Sequence, residues 1–280
     1  MLVEIIKFII YSALIVLISK YILVTTLRKL AESLKLKPKT VGNIAGYATS
    51  IPELLTITTA SLRGLAGASV YNIISSNVIN FIQYIGAILL NKNFEKIKNK
   101  AIVTDVVMVI FTIIIPIILL KFNIELNLAI VPIFVILYVL FRVINDKVHK
   151  LYLKNEDEKI EEEIEREEKE ESKNKYNTIK YIFYLVLTGF LLYFVGDKLG
   201  NTLETLCKLF NISEAIIGIL LGFITSIPEL MTFFESQRHY KKEADDMLGV
   251  VEATNNLLTS NILNLFAIQT IGILITVLVR

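Results

Sequence analysis

The hexapeptide TSIPEL occupies Thr49–Leu54 and recurs letter for letter at Thr225–Leu230. Downstream of the first copy lies NIISSNVIN at Asn72–Asn80, and downstream of the second lies NLLTSNILN at Asn256–Asn264. Both pairs keep the same order. From Glu53 to Asn80 is 27 residues and from Glu229 to Asn264 is 35, and the eight extra residues fit within the longer loop 236–247. A motif pair repeated at long period marks a chain built from two related halves.

The setting of both motifs is apolar. Hydrophobic residues make up 54% of the 280 and the mean hydropathy is +0.60, which excludes a soluble globule of this size. A hydrocarbon core about 30 Å thick is crossed by ~20 apolar residues in a helix. The candidate spans are Ile5–Leu27, Val41–Leu62, Ala66–Leu90, Ala101–Leu120, Leu126–Phe141, Ile179–Val195, Ile212–Phe234 and Leu248–Val279. The fifth and sixth are short and the last is long. The first reads as a retained span, since no small-x-small cleavage site follows it. The expected fold class is an all-α polytopic membrane protein of about eight transmembrane helices, five before one charged insert and three after it.

That insert is compact in sequence. Of the 29 Lys and Arg and 27 Asp and Glu, 22 fall between Arg142 and Lys180. The chain therefore divides into a first membrane half, 1–141, with its repeat at about 41–90, a charged linker, 142–178, and a second half, 179–280, with its repeat at about 212–279. Glu156–Glu171 is nearly all charged and reads as a solvated single helix or spacer; it lacks the glycine-turned oxygen pattern of a calcium loop. Segments 28–39, 91–100, 142–180 and 236–242 hold 22 of the 29 basic residues. The positive-inside bias then puts the linker in the cytoplasm and both termini outside a multi-pass cell-membrane protein. On that topology the two TSIPEL copies lie on oppositely directed helices, as inverted repeats. Transporters built this way carry their site at the repeat interface, near the membrane midplane.

Several function classes drop out. A net charge of +2 gives no reason to expect nucleic acid as a partner. The single cysteine, Cys207, excludes an internal disulfide, and His149 and His239 form no HExxH. Ser50 and Ser226 have no positioned histidine or lysine base, so an enzyme is not expected.

What remains is oxygen chemistry inside the membrane. A carboxylate in hydrocarbon is costly unless paired or coordinated, so Glu53 and Glu229 are the first candidate ligands. Pro52 and Pro228, one residue earlier, are expected to free the carbonyls of Ala48 and Ile224. Thr49, Ser50, Thr225 and Ser226 add hydroxyls. Ser76 and Asn80 are four residues apart, as are Ser260 and Asn264, so each pair shares one helix face, and Asn72 and Asn256 extend the stripe. Asn80 and Asn264 are expected at the site, and Asn77 and Asn261 in helix packing. A set made only of oxygens suits hard cations: two glutamates would neutralise one Ca²⁺, and the same atoms could hold Na⁺.

At these residues the chain resembles the calcium/cation antiporter superfamily, the sodium/calcium exchanger group in particular. The alpha repeats of that family pair a GTSxPE-type motif with a GNxxGSN-type motif, matched here by ATSIPEL and YNIISSNVIN, then by ITSIPEL and NNLLTSNILN. The resemblance implies an inverted-repeat antiporter fold with Glu53 and Glu229 as central shared ligands. It further implies side-chain oxygens from Thr49, Ser50, Thr225, Ser226, Ser76, Asn80, Ser260 and Asn264, and backbone carbonyls from Gly46 and Gly222. It implies too that the first and sixth spans form a sliding gate. There are departures. The motif glycines are replaced by Ala48, Ile224, Tyr71, Ser75, Asn255 and Thr259, Asn264 stands where many exchangers have Asp, and a second half of three spans is short for the family. With two carboxylates instead of three, a three-sodium stoichiometry is not implied.

The resulting expectation is a secondary active antiporter exchanging Na⁺ for Ca²⁺ by alternating access, with no cofactor and with Ca²⁺ and Na⁺ as cargo. The alternatives are a Ca²⁺/H⁺ or other cation/H⁺ antiporter and a non-transporting, cation-binding remnant of the fold. Partners are the lipid bilayer and metal cations, with a homodimer as one arrangement that would cover helix faces left by the short second half.

Overall fold

Long apolar runs with few breakers fold as helices, and proline or small polar residues decide where they end. The computed structural model describes residues 2–34, 36–122, 127–152, 175–211, 213–242 and 246–279, which hold helices and no strand. The first span is α1 (Leu2–Ile18), a π turn (Ser19–Val24) and α2 (Thr25–Ser33). The first repeat is α3 (Pro38–Thr49), α4 (Ile51–Leu62) and α5 (Ala66–Leu90). Then come α6 (Lys100–Lys121) and α7 (Val131–Tyr152). Beyond the linker lie α8 (Lys175–Phe210), α9 (Glu214–Thr225), α10 (Ile227–Lys242) and α11 (Asp246–Ile262), followed by a π turn (Leu263–Ile268) and α12 (Gln269–Val279). The linker core, with the acidic run Glu156–Glu171, lies outside the described residues.

Among the described residues, 7 segments are long and apolar enough to cross a membrane, one fewer than the sequence suggests. The missing one is Val41–Leu62. It is two helices of 12 residues each, α3 and α4, broken at Ser50 as Glu214–Tyr240 is broken at Ser226. It is the less apolar of the two, with Thr49, Ser50, Glu53, Thr56, Thr58 and Thr59 in its run. The fifth and sixth spans are not short: they run Leu128–Tyr152 and Thr178–Phe210, because each helix continues past its apolar stretch into charged sequence. The first likewise spans Leu2–Leu30.

The outer surface is apolar and the interior polar. Ile9, Ile136 and Phe183 are 59%, 65% and 63% exposed, whereas both motif glutamates and every motif Ser, Thr and Asn named above are buried. That inversion of a soluble protein matches a lipid surroundings.

Each repeat hands its first half-helix to the other. α3 packs along α11, and α9 packs along α5. This exchange gives the two halves a two-fold relation, and glycines make it tight. A Cβ on Gly46 would sit 2.8 Å from the Asn256 carbonyl oxygen and 2.8 Å from Thr259 Cβ; one on Gly222 would sit 2.7 Å from the Asn72 carbonyl oxygen. The family glycines absent from α5 and α11 are thus compensated by Gly42, Gly46, Gly218 and Gly222 on the half-helices facing them.

Outside this core, α1 packs lengthwise on α8. The pair meets the core through apolar side chains: Ile15, Leu23, Leu192, Leu199 and Leu203 cluster with Ala48, Ile217 and Leu221. One ion-pair tie holds it at each end. Arg28 of α2 binds Glu252 of α11, and at the opposite end Arg63, closing α4, binds Asp197 (3.2 Å) and Glu204 (3.1 Å) of α8.

Ala at position 46 or 222 must push two backbones apart, a strain of about 1–3 kcal/mol. We expect Gly46→Ala and Gly222→Ala to lower the unfolding midpoint in detergent. Gly86→Ala enters open space on α5 and gains helix propensity, so its midpoint is unchanged or higher. Equal midpoints for all three would contradict the packing described.

Candidate cation site

The site begins where the motif helices break. Ser50 and Ser226 carry nearly identical dihedral angles, φ −83°, ψ 0° and φ −79°, ψ −3°. Pro52 and Pro228 follow two residues later, in the first turn of α4 and α10, where a missing N–H costs nothing. This corrects one expectation. The prolines start new helices and do not kink continuous ones, and the N–H groups of Ser50 and Ser226 close the preceding helices on the carbonyls of Gly46 (3.3 Å) and Gly222 (3.2 Å). Glu53 and Glu229 therefore sit in first turns, near the positive end of the α4 and α10 dipoles.

Both carboxylates are fully buried, and they lie close enough to interact through space. Among the described residues neither makes an ion pair with Lys, Arg or His. Ser260 Oγ donates to Glu229 Oε1 at 3.0 Å and lies 3.0 Å from Ser50 Oγ, so one hydroxyl links both repeats. Thr49 Oγ1 reaches Asn256 Oδ1 at 3.4 Å. In the mirror position Ser76 Oγ is 3.4 Å from Thr225 Oγ1 and from the Gly222 carbonyl oxygen, and Ser226 Oγ donates to the Ser76 carbonyl oxygen at 3.5 Å. The Gly46 carbonyl oxygen accepts Ser50 Oγ at 2.9 Å.

On the axis between the repeats, Asn77 and Asn261 clasp each other. Each Nδ2 donates to the other's backbone carbonyl at 3.1 Å. Asn80 Nδ2 then donates to Asn261 Oδ1 at 3.2 Å, and Asn264 Nδ2 to Asn77 Oδ1 at 3.3 Å. The outer asparagines spend their N–H groups on the clasp, and their Oδ1 atoms remain buried with no hydrogen-bond partner. So do both oxygens of Glu53 and Oε2 of Glu229. Five buried oxygens, three of them carboxylate, thus have no donor at hydrogen-bonding distance, although the hydroxyls of Thr225 and Ser76 face Glu53 and that of Thr49 faces Glu229. Buried acceptors are nearly always satisfied, and a cation is the partner that satisfies many oxygens at once.

All twelve residues expected at the site are brought into these two mirrored clusters. Asn72 and Asn256 brace the site instead: they donate to Thr56 Oγ1 and Thr232 Oγ1, which in turn donate to the carbonyl oxygens of Glu53 (3.0 Å) and Glu229 (2.8 Å). The two threonines escaped sequence reasoning, although each lies three residues after its glutamate. A second polar cluster was also missed. Asp105 of α6 is buried against His149 Nε2 (2.6 Å) and Asn145 Nδ2 (2.9 Å) of α7, and only folding brings these residues together.

The family model of the sodium/calcium exchanger protein matches residues 5–145 and 180–280. The chain belongs to this family. As a member it is a multi-pass membrane cation antiporter, a transporter and not an enzyme. Solved structures of the sodium-calcium exchanger NCX_Mj share its fold. One, soaked with 100 mM Na⁺ and 10 mM Sr²⁺, has 20% identity and a TM-score of 0.57 over 98% of this chain and 83% of that one. Another, soaked with 2.5 mM Na⁺ and 0.1 mM Ca²⁺, has 21% identity and a TM-score of 0.55 over 98% and 82%. No curated protein sequence matches the chain.

Removing either clasp residue leaves buried amide and carbonyl groups unpaired, at about 1–3 kcal/mol. Asn77→Ala and Asn261→Ala should each lower detergent thermal stability. The double variant should cost less than the sum, because both act on one interaction; strict additivity would show that the residues are uncoupled.

Proposed function

We propose that the protein exchanges Ca²⁺ for Na⁺ by alternating access, with the cation held between Glu53 and Glu229. The observation that carries this reading is the set of five buried oxygens without donors at hydrogen-bonding distance, three of them on the paired glutamates. Two carboxylates neutralise one divalent ion. Hydroxyls of Thr49, Ser50, Thr225, Ser226, Ser76 and Ser260, amide oxygens of Asn80 and Asn264, and the carbonyls of Gly46 and Gly222 supply further neutral oxygens. Six to eight such ligands suit Ca²⁺, and subsets of them suit Na⁺.

Binding either cargo removes the cost of the buried charge, and shedding both leaves that cost in place. This difference favours movement of a loaded carrier over an empty one, which is what couples the two fluxes. The moving part in this reading is the α1–α2–α8 bundle. Its contact with the core is largely apolar, so sliding exchanges one set of dispersion contacts for another and breaks few hydrogen bonds. The linker lies on the cytoplasmic side, as the basic loops favour.

In proteoliposomes, an imposed Na⁺ gradient should drive ⁴⁵Ca²⁺ uptake, and Glu53→Gln or Glu229→Gln should reduce it by at least about tenfold, the weight of one charge-assisted contact. Uptake driven equally by a pH gradient with no Na⁺ would replace the Na⁺ reading with cation/H⁺ antiport. In detergent, Ca²⁺ at 100 times its Kd should stabilise the wild type by about 2.7 kcal/mol. It should leave a Glu53→Gln/Glu229→Gln double variant unmoved. A wild type with no cation response would overturn both exchange and cation binding at this site.

A further inference from the structure

Glu252, like Asp105, is a carboxylate buried in the core that the site described above does not use. It lies on α11 in the same four-residue stripe as Asn256, Ser260 and Asn264, and eight residues before Ser260, about 12 Å along the helix. That offset is toward the end of the molecule that carries the linker. Its side chain is 1% exposed. Oε1 receives Arg28 Nη2 and Ser236 Oγ, while Oε2 is buried with no hydrogen-bond partner. Beside it is a small cavity of about 20 Å³, room for one water-sized atom. Arg28 and Leu27 of α2, Ala45 of α3, Thr232 of α10 and Glu252 itself line this cavity. Thr232 is the brace that donates to the Glu229 carbonyl oxygen, so the cavity reaches from Glu252 to within one helical turn of the central site. On the outer side, Arg28 also lies 3.9 Å from Glu235, which lines a wider, open cavity with Lys20, Arg238 and His239.

Arg28 and Glu252 belong to different bodies. Arg28 rides on α2, continuous with α1 of the bundle, and Glu252 belongs to the core. We propose that Glu252 is a staging site for the transported hard cation, Ca²⁺ or Na⁺, at the linker end of the pathway, and that the Arg28 guanidinium occupies it as a tethered substitute when that end is closed. Movement of the bundle withdraws the guanidinium. The carboxylate, still buried and now uncompensated, takes a cation in its place and passes it along the Asn256 and Ser260 stripe toward Glu229. The tie at the opposite end is different in kind. Asp197 and Glu204, the partners of Arg63, are 45% and 30% exposed, so water compensates them when that tie opens. This assignment extends the antiport reading to a second, gated position.

The test separates the two ideas. Equilibrium ⁴⁵Ca²⁺ binding is measured in detergent on a Glu53→Gln background, which disables the central site. Adding Arg28→Gln should create binding, and adding Glu252→Gln to that should abolish it. Arg63→Gln in place of Arg28→Gln should create none. The Arg28→Gln/Glu252→Gln pair leaves no buried charge unpaired and is the folding control for Arg28→Gln; Arg28→Lys, which keeps the charge, is a second folded control and should bind no Ca²⁺. In sided vesicles Glu252→Gln should raise the half-saturating Ca²⁺ at the linker face about tenfold, one charge-assisted contact, with the other face unchanged. Equal binding with and without Glu252, or a shift of the same size at both faces, overturns the staging site. If wild type moves no Ca²⁺ under any gradient yet Arg28→Gln still creates Glu252-dependent binding, the antiport reading fails and the site stands.

Discussion

A carboxylate carried from water into a medium that offers no donors costs several kcal/mol unless something charged or polar comes with it. This bundle buries Glu53 and Glu229 together, and much of its architecture follows from making that tolerable. The helices break at Ser50 and Ser226 so that each glutamate falls in a first turn, at the positive end of its helix dipole. Hydroxyls crowd around both. Even so, three of the four carboxylate oxygens keep no donor at hydrogen-bonding distance, and the bundle holds them there with rigid neighbours that have no freedom to fold away.

That rigidity comes from the Asn77–Asn261 clasp and from the Asn72–Thr56 and Asn256–Thr232 braces. Each clasp amide satisfies the backbone of the opposite repeat, so neither half can rotate without leaving buried polar groups unpaired. The core is thereby fixed by directional bonds, while the α1–α8 bundle lies against it through leucines and isoleucines that prescribe no single position. Directional contacts hold the core and non-directional contacts form its boundary with the bundle, and in the proposed exchange cycle that boundary is where movement occurs. The two ion-pair ties, at opposite ends of the bundle, are the exceptions that define where it rests.

The sequence made the repeat visible because its signal is local: six identical letters, then polar residues at intervals of four. Those intervals put Ser76 with Asn80, and Ser260 with Asn264, on one face of their helices. Other features depend on contacts between distant segments. The replacement of motif glycines by Ser75 and Thr259 looked like lost close packing, yet Gly222 and Gly46 restore it from the facing helices, which no reading of α5 or α11 alone reveals. Arg28 and Glu252 are 224 residues apart, and Asp105 and His149 are 44 apart, so their pairing had no sequence signature. Span ends were misjudged for another reason. Apolar runs mark the hydrocarbon, but α7 and α8 keep their hydrogen bonds well beyond it.

The π turn at Leu263–Ile268 has a consequence for how the two halves correspond. An offset of 184 residues pairs Asn80 with Asn264, and α5 continues from Asn80 as a regular helix. The wider turn holds one residue more, which rotates everything after it by about 100°. Burial records the phase slip: buried Tyr84, Ala87 and Ile88 correspond in facing to buried Gln269, Gly272 and Ile273, an offset of 185. The repeats are therefore in register through their candidate ligands and out of register beyond them. The inner face of α12 is reached only by counting one residue further than the motif suggests, and residue equivalences drawn across the whole repeat change meaning at Asn264.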